Sequence, residues 1–499
     1  MSKTKEIKPV KTTSFGLALF VVLATVVILV VGCIEGLQYR YLLLFVAVIA
    51  GGANMLVLNI PWDDCLEALC VKMKSVIPTL CMMWCTGGII GTMIFCGAVP
   101  MVIYYGFMVI SPKFIYLSAF LLCLIMSTLT GSSWTSAGTA GVAMYGMALG
   151  MGANMPIVVG AIVAGAIFGD KVSPLSETTN MAPACAGTNL YTHIGSMMYD
   201  TLPAAVISAV VFLIAGMTSD LGSAATDQSI TTLMEELMMI YNFCWWKNIL
   251  LLIPFAIIFY AALAKKPVIP ALVLDIILSI ILGMVCHGFT LANGMTAAYN
   301  GFNLGLIDTI PEGYEASAFL TKILVRGGSI SMASVIFTCF TGFAAASMIA
   351  RGGYLDCVLG KTIGNIKSKV GCVAAAELTM LAIMIATGTA YVGFIMLAEM
   401  YKKPFIKNRV GMPVLSRCME DIGTCFGCLI PWSLSGAYYA GLFDNMPIWG
   451  SGGYALWTVL PYVTIIFAIL LAITGIGMFK MSDEEAEAQM AELEAEATA

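Results

Sequence analysis

Long apolar runs, each close to the length that crosses a bilayer, recur along the whole chain. Examples lie near 15–34, 268–287 and 455–479. A helix needs about 20 apolar residues to cross the hydrocarbon core of a membrane. The chain has 499 residues, of which 60% are hydrophobic and 11% charged, whereas soluble domains carry about 25% charged residues. The pattern predicts an all-α polytopic membrane protein, surrounded by the lipid bilayer and without a nucleic-acid partner.

The same series of features occurs twice along the chain. Each half shows three spans, a hairpin with a Thr-Gly tip, an interrupted helix and a last span, which is 202–218 in the first half and 455–479 in the second. The tips are TGSSW at 130–134 and TGT at 387–389, and the interrupted helices are 156–188 and 413–445. With five true crossings per half, an odd number, the second copy must be inverted relative to the first. We therefore predict two inverted repeats of about five transmembrane helices plus a re-entrant hairpin each, with broken helices.

Charge and hydropathy divide the chain into five segments. They are a cytoplasmic tail 1–14, a membrane repeat 15–218, an external connecting loop 219–246, an inverted repeat 247–479 and an acidic cytoplasmic tail 480–499. In this topology 17 of the 24 Lys and Arg residues lie in cytoplasmic segments, as the positive-inside rule requires. We expect a multi-pass protein of a prokaryotic cytoplasmic membrane with both termini cytoplasmic.

Two polar segments interrupt apolar runs at membrane depth. They read GDKVSPLSETTNMAPACAGT at 169–188 and LSRCMEDIGTCFGCLIPW at 415–432. In lipid, charges and unpaired backbone groups are retained only where they are buried in protein or face water. A pair of interrupted helices, one per half, indicates the binding site of a secondary transporter. Pro174, Pro183 and Pro431 are expected to hold these helices open, because proline removes a backbone donor.

Both interruptions and both hairpin tips carry many oxygen-bearing residues. A small, hard cation such as Na+ prefers a shell of carboxylate, hydroxyl, amide and carbonyl oxygens. The candidates of the first half are Asp170, Ser173, Ser176, Glu177, Thr178, Thr179 and Asn180, facing a tip of Thr130, Gly131, Ser132 and Ser133. Those of the second half are Glu420, Asp421 and Thr424, facing Thr387, Gly388 and Thr389.

Proton coupling needs an acid that binds either a proton or a cation. Burial favours the protonated form of a carboxyl group and a bound cation favours the ionised form. Glu177 and Asp421 are the first candidates, and Asp170 and Glu420 follow. Any single acid here could instead cap a half-helix. The two bases, Lys171 and Arg417, are either counter-ions within the site or the anchor for an anionic substrate.

Several other polar residues lie outside the two interruptions. Glu377 flanks the second hairpin and is a candidate for lining the transport pathway, against a purely structural role. Asp275 is either a paired core acid or an interface contact. His193 and His287 are expected at the membrane interface. The 16 cysteines lie mostly in apolar runs and are expected to act as small hydrophobes. No metal site is expected beyond the transported Na+.

Three segments resemble the signature regions of the NhaC family of Na+/H+ antiporters, which includes malate–lactate exchangers. They are 131–141 (GSSWTSAGTAG), 169–188 and 415–432, with DK-x-SPLS-[ED]-TTN-x-AP as the most specific string. The resemblance implies an inverted-repeat transporter of the ion-transporter type, with a scaffold and a moving transport domain. It carries over to Asp170, Ser173, Ser176, Glu177, Thr178, Thr179 and Asn180, and to Glu420 and Asp421. The sequence departs from the family pattern at Glu177, where Asp is common, and at Cys425–Cys428 (CFGC).

We therefore expect a secondary antiporter that exchanges Na+ for H+ by alternating access, without a cofactor. The alternative is a Na+- or H+-coupled exchanger of small organic acids or amino acids, of the malate–lactate type. An intramembrane enzyme would need a nucleophile–base pair or a metal set, and the chain has only two histidines, neither near a candidate nucleophile in sequence. Both a monomer and a homo-oligomer are compatible with the sequence.

Overall fold

A computed structural model describes residues 12–35, 37–219, 221, 224–264, 266–307, 314, 316–355, 357–358, 366 and 368–496. Within these ranges all regular secondary structure is helical. Most of the predicted N-terminal tail (residues 1–11 of 1–14) and the last three residues of the predicted acidic tail lie outside the described residues.

The helices of the described residues are listed here in chain order. They are α1 Phe15–Ile34, α2 Tyr39–Leu56, α3 Trp62–Phe95, α4 Ala98–Val109, α5 Ile115–Thr130, α6 Ser133–Ser136, α7 Val142–Gly150, α8 Met155–Val172, α9 Glu177–Ala186, α10 Leu190–Thr218, α11 Ala224–Tyr241, α12 Trp245–Leu251, α13 Ile253–Leu263, α14 Val268–His287, α15 Leu291–Asn300, α16 Ala318–Leu324, α17 Ala333–Arg351, α18 Lys369–Thr387, α19 Ala390–Lys407, α20 Met412–Glu420, α21 Leu434–Leu442, α22 Val459–Thr474 and α23 Asp483–Glu496.

Six segments among the described residues are long and apolar enough to cross a membrane. They are Pro112–Thr130, Met155–Val172, Leu190–Thr218, Val268–His287, Ser329–Arg351 and Lys369–Thr387. Two further helix pairs are bent by 65° and 88° and raise the number to eight if each pair is one span. The predicted spans at both ends of the membrane region contain shorter apolar helices, Phe15–Leu29 and Val459–Thr474. The chain is therefore a multi-pass membrane protein.

The predicted connecting loop, 219–246, contains the helix α11. Its buried face carries Leu233, Leu237 and Tyr241, which recur at the spacing of one helix face. The carboxylate of Glu236 accepts hydrogen bonds from the Tyr314 hydroxyl at 2.8 Å and from the Ser317 backbone N–H at 2.8 Å. The acidic composition of this segment therefore belongs to an amphipathic helix that packs on the protein.

Close packing of α5 against α8 places the first hairpin tip beside the first interruption. A Cβ atom on Gly165 would lie 2.2 Å from the Phe120 carbonyl oxygen, and one on Gly169 would lie 2.1 Å from the Thr128 nitrogen. Small residues four apart allow two membrane helices to approach this closely. The close approach brings the end of α8, with Asp170, next to the end of α5.

Both predicted helix interruptions are present. α8 ends at Val172 and α9 begins at Glu177, so the first interruption spans 173–176 and contains Pro174. After α20, a π-helical turn (Asp421–Cys425) and a 3-10 turn (Phe426–Leu429) precede α21, and Pro431 lies in that gap. The expectation for Pro183 was wrong, because this residue lies inside α9.

Candidate functional site

The first hairpin tip and the first interruption meet at Asp170. Gly131 closes the tip with a φ of 67°, and a Cβ atom there would lie 2.6 Å from the Leu175 carbonyl carbon. Ser133, the last residue of the tip, donates a hydrogen bond from Oγ to Asp170 Oδ2 at 2.6 Å. Ser176, in the interruption, donates from Oγ to Asp170 Oδ1 at 2.7 Å. Hydroxyl groups from two segments of the chain thus donate hydrogen bonds to one partly exposed carboxylate.

Other candidate ligands in the first interruption are bonded to backbone carbonyl groups. Ser173 Oγ donates to the Thr128 carbonyl at 2.9 Å, and Thr179 Oγ1 donates to the Asp170 carbonyl at 2.8 Å. Asn180 Nδ2 donates to the Ser176 carbonyl at 2.6 Å. The Thr128 and Asp170 carbonyl groups lie in the last turns of α5 and α8, where helical partners are lacking. Ser176 Oγ also lies 3.1 Å from Thr178 Oγ1, so Thr178 extends the hydroxyl cluster around Asp170.

The two interrupted segments are joined through Lys171. Its Nζ contacts Asp421 Oδ1 in the second interruption and lies 3.3 Å from Asp200 Oδ1 on α10. Lys171, Asp200 and Asp421 are all fully buried. Asp200 Oδ1 also accepts a hydrogen bond from Thr201 Oγ1 at 2.7 Å. A buried ammonium group is tolerated only when it is paired, and here two carboxylates share it.

Arg417 completes the same ion-pair network. Its Nε lies 3.3 Å from Asp200 Oδ2, and both side chains are fully buried. Its Nη1 donates to the carbonyl groups of Ser196 and Gly477, each at 3.2 Å. The guanidinium group therefore contacts the Ser196 carbonyl and the Asp200 carboxylate of α10 and the backbone after α22. We call Lys171, Asp200, Arg417 and Asp421 the ion-pair cluster.

Several buried acid oxygens next to the ion-pair cluster have no hydrogen-bond partner within the described part of the chain. They include both oxygens of Glu420, Oδ2 of Asp421 and Oε1 of Glu377, and the Thr424 hydroxyl, which adjoins Glu420, is unpaired as well. Glu420 interacts electrostatically with Asp170 and Lys171, and Glu377 interacts with Asp421 and Arg417. A buried polar group that lacks a partner is costly, so these oxygens are available for a proton or a cation.

Glu177 and the second hairpin tip lie at the edge of this region. Glu177 is exposed, and its Oε2 accepts a hydrogen bond from the Tyr391 hydroxyl on α19 at 3.0 Å. The second tip turns at Gly388, with a φ of 67°. The Gly388 carbonyl accepts a hydrogen bond from the Leu434 N–H at 3.1 Å. This tip therefore contacts the start of α21, beyond the second interruption. Thr387 and Thr389 are buried, and the Thr387 hydroxyl donates to the Thr389 carbonyl and accepts from the Thr389 N–H.

A family model described as the Na+/H+ antiporter family matches residues 165–476. The chain is 35% identical to an uncharacterized Na+/H+ antiporter of Haemophilus influenzae, over 88% of this chain and 91% of that protein. It is 31% identical to the Na+/H+ antiporter NhaC of Alkalihalophilus pseudofirmus, over 85% and 87% of the two chains. It is 30% identical to the malate-2H+/Na+-lactate antiporter of Bacillus subtilis, over 84% and 86%.

The chain belongs to the Na+/H+ antiporter family. The resemblance that the three signature segments indicated is confirmed. The names of the family and of these relatives describe transporters, not enzymes. The ion-pair cluster and the acids around it lie within the residues that the family model matches.

One member of the antiporter's ion-pair cluster, Asp200, was not predicted from the sequence. The predicted last span of the first half began at 202, whereas α10 begins at Leu190. His193, Ser196 and Asp200 follow one another at intervals of three and four residues and so share one face of α10. That polar face within a membrane helix was the signal that could have identified Asp200.

The prediction for His193 was wrong. This residue is fully buried, and its Nδ1 lies 2.7 Å from Ser416 Oγ on α20.

His287 is half-buried, and its Nε2 lies 2.9 Å from the Cys96 carbonyl oxygen. Asp275 is buried in the middle of α14, and neither of its carboxyl oxygens has a hydrogen-bond partner among the described residues. It adjoins Cys96 and stands apart from the ion-pair cluster.

Proposed function

We propose that this chain exchanges Na+ for H+ across the cytoplasmic membrane by alternating access. The observation that carries the proposal is the pairing of charges at the two interruptions. Both bases are already ion-paired, Lys171 with Asp200 and Asp421, and Arg417 with Asp200. Asp170 and Glu420 have hydroxyl groups beside them and form no ion pair of 4 Å or less among the described residues. That arrangement suits a small cation or a proton.

In this proposal, Asp170 and Glu420 bind the transported cation. Ser133 and Ser176 each donate a hydrogen bond to Asp170, and their hydroxyl oxygens would also bind the cation. Thr424 adds an oxygen beside Glu420, and Glu177 guides cations from the exposed edge. Asp421 competes with Asp200 for Lys171. Protonation of Asp421 would therefore weaken the contact between the two interrupted segments. The remaining predicted ligands, Ser173, Thr178, Thr179 and Asn180, shape the first interruption.

The proposal includes the topology predicted from the sequence. Two inverted repeats, 15–218 and 247–479, would each supply one interrupted helix and one hairpin, and both chain termini would be cytoplasmic. The joining of the two interruptions through Lys171 supports a shared site between the repeats. Transport would follow from a joint movement of hairpins and interrupted helices, and it would need no cofactor.

The test is Na+-driven proton movement in vesicles that contain the purified protein. Addition of external Na+ to proton-loaded vesicles is expected to make the lumen more alkaline. Glu420→Gln is expected to reduce the apparent Na+ affinity by at least about tenfold, the equivalent of about 1.4 kcal/mol. Glu399→Gln is the matched control, because Glu399 is exposed on α19, away from the cluster. No response of the wild type between about pH 6 and 9, where a tuned carboxylate titrates, would refute Na+/H+ exchange.

The second candidate is coupled exchange of small organic acids or amino acids. The malate-2H+/Na+-lactate antiporter of Bacillus subtilis is 30% identical to this chain, and this similarity supports the second candidate. An organic anion would have to displace Asp200 or Asp421 from Lys171 or Arg417. Counterflow of labelled malate, lactate or amino acids separates the two candidates, since a pure cation antiporter shows none.

A further inference from the structure

The chain after α22 forms a strap that returns to the ion-pair cluster. We define the C-terminal strap as residues 475–482, between α22 and α23. Gly475 and Gly477 have φ values of 76° and 61°, and these left-handed conformations favour glycine. They turn the chain back toward α20. The match to the family model ends at residue 476, so residues 477–482 of the strap lie outside it.

The strap follows the backbone at the start of α20. The Gly411 N–H donates to the Met478 carbonyl at 3.3 Å, and the Met481 N–H donates to the Arg409 carbonyl at 3.4 Å. A Cβ atom on Gly411 would lie 2.2 Å from the Phe479 carbonyl oxygen. The fit is therefore close enough to exclude a side chain at the point of contact.

The strap also contacts Arg417 directly and contacts Tyr199, the residue before Asp200. The Gly477 carbonyl accepts a hydrogen bond from Arg417 Nη1 at 3.2 Å. The Phe479 ring packs edge-on against the Tyr199 ring, with 6.2 Å between the ring centroids. Tyr199 immediately precedes Asp200 in α10. The strap thus joins the two helices, α10 and α20, that carry the pair.

The helix α23 holds the strap in place mainly through apolar contacts. Ala486 is buried, and Met490 and Leu493 pack against the same core as α20. Their spacing places them on one face of the helix. Ser482 and Glu485 cap the helix start reciprocally, with N···O distances of 2.9 and 3.1 Å. The Arg409–Asp483 ion pair is exposed, with 36% and 86% side-chain exposure, and such pairs contribute little.

We propose that the C-terminal strap is a positioning element of the transport site. Its Gly477 carbonyl fixes Arg417 so that Nε stays on Asp200, and this contact sets how Asp200 and Asp421 share Lys171. The inference rests on the proposed function, because it concerns the acids that bind Na+ or H+. When the strap is displaced, Arg417 moves from Asp200, and Asp200 then takes a larger share of Lys171. Asp421 is left with less positive charge beside it.

The group that responds, Asp421, is surrounded by titratable side chains from four helices and its own turn. A carboxylate that loses a nearby cation binds protons more tightly, so the pH profile of exchange moves to higher pH. The titratable and charged groups near the ion-pair cluster are Lys171 from α8, His193 and Asp200 from α10, Glu377 from α18, Arg417, Cys418 and Glu420 from α20, and Cys425 from the turn that begins at Asp421.

The test substitution is Gly477→Ala. A Cβ atom at this position would lie 2.9 Å from Tyr199 Cγ, so the strap must move from the Tyr199 ring. Gly475→Ala is the matched control, since this residue has a similar φ of 76° but its Cβ would lie no closer than 3.9 Å to any neighbour. The pH profile of Na+-driven exchange is expected to move up by roughly 1 unit in Gly477→Ala and to stay unchanged in Gly475→Ala.

The Arg417→Lys substitution tests whether the strap acts on the site through Arg417. Lysine cannot bond to Gly477 and Asp200 at once in the manner of a guanidinium group. Gly477→Ala in that background is therefore expected to add no further shift. A folded Gly477→Ala protein with the wild-type pH profile would overturn the proposal, and so would a full additional shift in the Arg417→Lys background. If Gly477→Ala does not fold, Phe479→Ala, which removes the ring contact with Tyr199, carries the same two expectations.

Hydrogen exchange separates this proposal from the proposed function. If wild-type vesicles show no Na+/H+ exchange, the proposed function fails, and the strap is then judged on the backbone amides of α10 and α20. Their exchange is expected to be faster in Gly477→Ala than in Gly475→Ala. Equal amide exchange in the two variants would refute the positioning role regardless of transport.

Discussion

Asp200→Asn is the most direct test of the ion-pair cluster. The carboxylate lies 3.3 Å from Lys171 Nζ and 3.3 Å from Arg417 Nε. At an effective dielectric constant of about 20, each pair has a Coulomb energy of about 5 kcal/mol. Much of this energy offsets the cost of burying the charges. Removal of one partner from a buried pair typically destabilises a protein by about 3–5 kcal/mol, and we expect a loss of that size here.

The assay is the free energy of unfolding in mixed detergent micelles, with Asp64→Asn as the control. Asp64 Oδ2 lies 2.8 Å from Arg351 Nη2, with 42% and 34% exposure of the two side chains, so its loss should cost less than about 1 kcal/mol. Lys171→Met added to Asp200→Asn should recover part of the lost stability, because it removes the excess buried charge. Equal losses for Asp200→Asn and Asp64→Asn, or a further loss in the double variant, would refute the shared-charge account.

Two further predictions concern the first hairpin tip. Ser133→Ala and Ser176→Ala each remove a hydrogen bond to Asp170. At about 1.5–3 kcal/mol per bond to a charged group, each should raise the Na+ concentration for half-maximal exchange by roughly 10- to 100-fold. Ser208→Ala, whose hydroxyl donates to the Ala204 carbonyl of its own helix at 2.8 Å, should leave this concentration unchanged. Gly131→Ala should impair folding and exchange far more than Gly152→Ala, although both residues have a φ of 67°, because only Gly131 faces a neighbour, at 2.6 Å; similar thermal stabilities of the two variants would contradict this contact.

The local features of the site could be predicted from the sequence because each depends on a short segment. The tips at Gly131 and Gly388, and the interruptions after Val172 and Glu420, follow from polar residues within apolar runs. Element boundaries were less predictable. α10 extends twelve residues before the predicted start of its span at 202, because hydropathy underrates a buried polar face such as that of Asp200.

The partners of the buried charges could not be predicted, because pairing depends on how distant segments fold together. Lys171 and Asp421 are 250 residues apart in sequence, and nothing in either interruption specifies that contact. The sequence left two roles open for Lys171 and Arg417, as counter-ions or as an anchor for an anion. Both now lie against buried carboxylates, which favours the first role. An anionic substrate would leave Asp200 or Asp421 buried without its cation, at a cost of several kcal/mol, whereas a cation at Asp170 and Glu420 leaves every existing pair in place.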